Sequence, residues 1–155
     1  MTPNQVGRAG EYLTASYLAR YFDEIFECPS HSRYDFLAVL NNKSYKIQVK
    51  TSASPFERNN ADWVRWDIKK KISNTGEQRL YNKEEVDIFA FVFLPSDKVT
   101  FAPNENLGKT YQKKLEFIKS FNPHESLKTA IEIINILRER KNETKSESVI
   151  QAVSS

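Results

Sequence analysis

One short stretch constrains the fold of this chain more than any other. Tyr34 to Leu40 is apolar on both faces, Tyr45 to Thr51 alternates apolar and polar, and Asn41-Asn42 lies between them as a turn signal. A strand apolar on both faces is internal to a sheet. In the second strand Tyr45, Ile47 and Val49 share one face, and Lys46, Gln48 and Lys50 share the other. A two-residue loop pairs Leu40 with Lys43 and sets Asp35 opposite Gln48, whereas a four-residue loop sets Asp35 opposite Lys50. Either register puts Asp35 on the face of Gln48 and Lys50. A three-residue loop puts it on the other face, unless a bulge compensates.

The rest of the chain arranges itself around this hairpin. Thr2-Pro3-Asn4-Gln5 is a helix start, with Thr2 as cap, Pro3 in the first turn and Gln5 closing a capping box. Val6, Leu13, Tyr17 and Tyr21 follow at helical spacing, with Gly10 at the missing step, so a helix is expected from about Pro3 to Phe22. Gly7 and Gly10 inside it point to close approach of a backbone, a ligand or a packed neighbour. Ile25 to Cys28 reads as a short strand and Ser52 to Asn60 as a loop. Trp63 to Ile68 alternates, with Val64, Trp66 and Ile68 inward. Lys69 to Lys83 reads as a polar, basic loop or a partly helical excursion. Val86 to Leu94 is a central strand, turned by Pro95-Ser96-Asp97 into Val99 to Ala102. Two helices close the domain. One spans about Tyr111 to Phe121, and one is announced by Asn122-Pro123-His124-Glu125, with apolar positions from Leu127 to Leu137 on more than one face. The order defines an α/β (α+β mixed sheet) fold, a central mixed sheet flanked by helices. Residues 1–140 form one domain, and 141–155 a polar C-terminal tail of loose order.

Composition narrows the class. At 155 residues with ten Phe and seven Tyr, the chain has enough apolar material for one real core. No apolar run spans a bilayer, and the N-terminus lacks the features of a signal peptide. A single cysteine, Cys28, rules out an internal disulfide framework and suits a reducing cytosol, and as a small hydrophobe it is expected to be buried. Two well-separated histidines argue against zinc. Net charge is only +3, but ten Lys or Arg between Asn41 and Lys83 face four acids. That local excess suits a phosphate-backbone partner, and equally a solvated lysine-rich surface.

Glu11, Asp35, Gln48 and Lys50 carry the chemistry. Carboxylate, amide and carbonyl oxygens suit a hard cation, and a lysine beside them suits a developing phosphate charge. Asp35 would bind Mg²⁺ directly with the Val49 carbonyl beside it, and Glu11 directly or through water. The ion would polarise a scissile phosphate and acidify an attacking water. Taken singly, Glu11 is an ordinary surface helix residue and Lys50 a solvent-facing strand lysine. Asp35 in an apolar strand demands a partner. The coincidence of all four carries the reading.

The helix with Glu11 in Gly7-Arg8-Ala9-Gly10-Glu11, the segment Tyr34-Asp35-Phe36-Leu37 and the strand Ile47-Gln48-Val49-Lys50-Thr51 resemble the PD-(D/E)XK nuclease superfamily. Within it they are most similar to group I intron-encoded homing endonucleases of cyanobacterial type. The likeness covers roughly Gly7 to Pro103. Tyr34 stands in place of the motif proline, and Gln48 in place of the usual acid, which removes one negative charge. The resemblance implies a restriction-endonuclease-like core and a site-specific double-strand DNA endonuclease. Mg²⁺ would be its cofactor, with Mn²⁺ as substitute, and it would act as a homodimer or homotetramer in the cytoplasm of a prokaryotic or phage context.

Arg58, Arg65, Lys69, Lys70, Lys71, Arg79 and Lys83 are the candidate DNA contacts, the arginines as base readers. Trp63 and Trp66 are possible base-stacking residues, with Trp66 better placed in the core. The helix from Leu127 to Leu137 is a candidate subunit interface. Two further readings stand beside the first: a Holliday-junction resolvase, and a non-catalytic DNA-binding module of the same fold.

Overall fold

The computed structural model describes residues 1–71 and 78–154, those at 70–71 and 78–80 without their side chains. Helix α1 (Pro3–Tyr21) begins with the expected capping box: Thr2 Oγ1 accepts from Gln5 N, and Gln5 Oε1 accepts from Thr2 N. Strands β1 (Glu24–Glu27), β2 (Phe36–Leu40) and β3 (Lys43–Ser52) follow as a meander. After an excursion, β8 (Ile88–Phe93) and β9 (Lys98–Pro103) complete a five-stranded sheet of order β1-β2-β3-β8-β9. All its neighbours are antiparallel except β3 and β8, which run parallel, so the sheet is mixed. Every residue of β8 is buried, as its unbroken apolar sequence requires of a central parallel strand.

The excursion between β3 and β8 differs from its sequence reading. Phe56–Arg58 is a strand, β4, hairpinned through Asn59-Asn60 to β5 (Ala61–Asp67), where a loop was expected. Both asparagines have positive φ, the backbone a tight hairpin needs. Within the loop or helical excursion expected from Lys69 to Lys83, Lys69–Lys71 (β6) and Gln78–Leu80 (β7) pair as a ribbon, and positions 72–77 lie outside the described residues. The largest departure is Thr110–Lys114, strand β10, which pairs with β5 where a helix was expected. Tyr111 explains it: its ring stacks on Phe91 at 4.2 Å between centroids and 3° between planes, and it also meets Trp66. Only Leu115–Ile118 is helical there, as α2.

The layers are thereby set. α1 and the long α3 (Pro123–Ser154) cover one face of the main sheet, burying Leu18, Phe36, Ile47, Ile88, Leu127 and Ile131 together. The three-stranded sheet β10-β5-β4 covers part of the other, where Val64 and Trp66 meet Phe89, Phe91 and Phe93. Trp66 is 2% exposed and donates its indole N–H to the Val92 carbonyl, so it is core. Cys28 is half-buried rather than buried. The residues expected to form a loose tail continue α3 as exposed helix through Ser154.

Candidate active site

Asn41 and Asn42, with φ of 51° and 62°, make the two-residue turn, and Leu40 pairs with Lys43. The same register continued sets Asp35 opposite Gln48. Asp35 N–H donates to the Ile47 carbonyl at 2.9 Å, and its Oδ2 accepts from Val49 N–H at 2.8 Å. The carboxylate is thus locked to the backbone of the strand that carries Gln48 and Lys50. Burial pushes its pKa up, while the Val49 N–H and the Lys50 charge pull it down.

Gln48 and Lys50 lie on the half-open side of β3, beside Phe89 and Phe91 of β8 in register. The Gln48 side-chain nitrogen is 3.5 Å from the Val49 carbonyl oxygen. Turning that amide over would present its oxygen there instead. Lys50 Nζ donates to Tyr81 Oη at 3.3 Å and sits 4.9 Å from the centre of the same ring.

Glu11 arrives from α1 through a close approach. A Cβ on Gly10 would lie 1.8 Å from Thr51 Oγ1, so only glycine lets the helix settle onto β3 here. Gly7 faces open space and has no such role. Glu11 is one and two turns from the buried Thr14 and Leu18, which leaves it half-buried at the margin of the packed stripe. Its pKa is raised, first by burial, then by the negative charges of Asp35 and Glu27. The Asp35 charge therefore reaches Glu11.

Among the described residues no three His, Cys, Asp or Glu side chains gather to hold a metal. The donors at hand are two carboxylates, the Val49 carbonyl and the Gln48 amide. All are hard oxygen donors, and a cation would offset the burial that raises the pKa of both carboxylates. These oxygens are the kind of donor that suits a hard divalent ion.

The expected DNA contacts are more scattered. Arg58 and Arg65 sit on the outward side of β4 and β5, Arg58 4.2 Å over the Trp63 ring and bonded to Gln112 Oε1 at 2.8 Å. Arg65 lies over Phe56 and near Asp67. Lys83 pairs with Glu105. Lys69 lies on β6, and the side chains of Lys70, Lys71 and Arg79 are outside the described residues. Sequence reasoning missed Tyr81 beside Lys50, Glu27 beside Glu11, and the Arg33–Glu85 ion pair at 2.9 Å. No local signal links Tyr81 to Lys50 across 31 residues.

The layers, mixed sheet and flanking helices recur in the solved structure of one bacterial homing endonuclease. That structure, of I-Ssp6803I, matches with a TM-score of 0.60 over 73% of this chain and 78% of that one. Identity is 11%, so the likeness is one of fold. No protein-family model and no curated protein sequence matches the chain. No described helix is long and apolar enough to cross a membrane.

Proposed function

We propose that this chain is a site-specific endonuclease that hydrolyses both strands of double-stranded DNA with Mg²⁺, of the intron-homing kind and with a PD-(D/E)XK centre. The observation that carries the reading is Asp35, fixed by Val49 N–H next to Lys50 and near enough for its charge to act on Glu11, on a fold shared with a homing endonuclease.

Asp35, Glu11, the Val49 carbonyl and the Gln48 amide would hold the ion, and Mn²⁺ would replace Mg²⁺. When bound, the ion supplies Lewis acidity toward the scissile phosphate and toward an attacking water. Lys50 then donates an N–H to the oxygen on which charge develops, a contact worth most at the transition state. The Val49 N–H keeps the Asp35 carboxylate aimed without a rearrangement during reaction. Gln48 contributes an oxygen without a charge, which lessens repulsion of the phosphate backbone.

One site per chain cuts one strand, so double-strand cleavage requires a second copy, as homodimer or homotetramer. In this reading residues 1–140 form the nuclease domain, 141–155 a polar extension, and the protein works in a cytoplasm. Arg58, Arg65, Lys69, Lys70, Lys71, Arg79 and Lys83 supply the DNA contacts. The test is Mg²⁺-dependent cleavage of a randomised plasmid library and of a four-way junction, with Lys50→Ala as control. Cutting at one recovered sequence, lost in the variant, is the expected result. Junction-only cutting would assign a resolvase, and tight binding without cutting would assign a DNA-binding module.

A further inference from the structure

The geometry points to Tyr81 as a positioning residue for Lys50, an inference that rests on the nuclease reading above. Tyr81 follows β7 and is half-buried. Its ring packs edge-on against Phe89 at 5.5 Å, and Phe89 is the β8 residue in register with Gln48. Its hydroxyl oxygen accepts from Lys50 Nζ, which lies at the hydroxyl end of the ring, 4.9 Å from its centre. A lysine stem has four flexible carbons. A hydrogen bond from a packed neighbour restricts where the charge can sit. Phenylalanine would satisfy the packing on Phe89 equally well, so the hydroxyl is the part that packing does not explain.

The segment bearing Tyr81 is itself anchored. Asn82 Oδ1 accepts from the Glu84 and Glu85 N–H groups, at 3.0 and 2.8 Å. Asn104 Nδ2 donates to the carbonyls of Asn82 and Val86. Glu85, only 4% exposed, takes Arg33 as its ion-pair partner. Arg33 stands two residues before Asp35. One polar knot thus ties the Asp35 segment to the neighbour of Lys50, so that both halves of the site are held by the same few side chains.

The experiment uses the full chain and a target recovered by cleavage selection. Tyr81→Phe keeps the ring and removes the hydroxyl. Its single-turnover rate should fall on the order of tenfold. Its DNA affinity in Ca²⁺ should stay within about twofold and its Tm within about 2 °C. Tyr81→Leu, which also loses the ring contact, should be slower still. In a Lys50→Arg background the Tyr81→Phe effect should shrink to about twofold or less, because the two residues act as one unit. A wild-type rate in Tyr81→Phe, or an equal loss in the Lys50→Arg background, would overturn the role of Tyr81 and leave the nuclease reading standing. Absence of any Mg²⁺-dependent cutting by the wild-type chain would remove that reading and this inference together.

Discussion

At Asp35 burial and hydrogen bonding oppose each other, and burial prevails. Its pKa lies above the ordinary 3.8 and that of Glu11 above 4.5, in both cases chiefly because water has been withdrawn. A raised carboxylate binds its proton more tightly folded than unfolded. The resulting stability is fully present below the ordinary values and is lost as pH rises through the raised ones. In EDTA, Asp35→Asn should therefore melt higher than wild type near about pH 7, with the gap closing toward about pH 3. Asparagine keeps an oxygen for Val49 N–H, so calorimetry at the two pH values isolates the charge. A lower Tm for the variant at neutral pH would refute the sign. The two helix glycines offer a second contrast. Gly10→Ala drives a methyl into Thr51 and should cost about 1–3 kcal/mol. Gly7→Ala meets nothing and should gain about 1 kcal/mol. Urea melts of the metal-free protein decide both.

At the level of elements, the hairpin was readable because its determinants are local. Two asparagines tolerate the left-handed backbone, and a period of two puts Asp35, Gln48 and Lys50 on one face whatever the even loop length. Asn42→Val should lose roughly 1–3 kcal/mol, since a β-branched residue at φ 62° is strained. Asn42→Gly should be tolerated, and paired denaturant curves separate strain from loss of the side chain. The capping box of α1 was legible for the same reason. β10 was not. Leu115, Ile118 and Phe121 repeat at helical spacing, yet Tyr111 is claimed by Phe91 and by pairing with β5. Such non-local pairing overrides local pattern. β4 and the β6–β7 ribbon escaped notice similarly, because short polar strands show their nature only in their partners.

Across the whole molecule, three layers bring the site together at the exposed part of one sheet. The four candidate residues fall within the first fifty positions, and the strand pair that joins three of them is contiguous, which is why the sequence alone brings them together. Tyr81, Glu27 and the Arg33–Glu85 pair meet the site only through folding. The apolar stripe of α3, offered as a subunit interface, is largely spent inside the chain: Leu127, Ala130, Ile131 and Ile134 are buried against the sheet, while Ile136 is 46% exposed. A cation held between Glu11 and Asp35 would stabilise the folded chain by mass action. Millimolar Ca²⁺ should raise the Tm of wild type and leave Asp35→Asn unmoved, as thermal melts will show.

The most direct test of the proposed centre separates cutting from holding DNA. Asp35→Asn should lose at least about a thousandfold in Mg²⁺-dependent cleavage while binding the recovered target as tightly as wild type, or more tightly. Retained cleavage in that variant would contradict the assignment of Asp35 and, with it, the active site described around the hairpin.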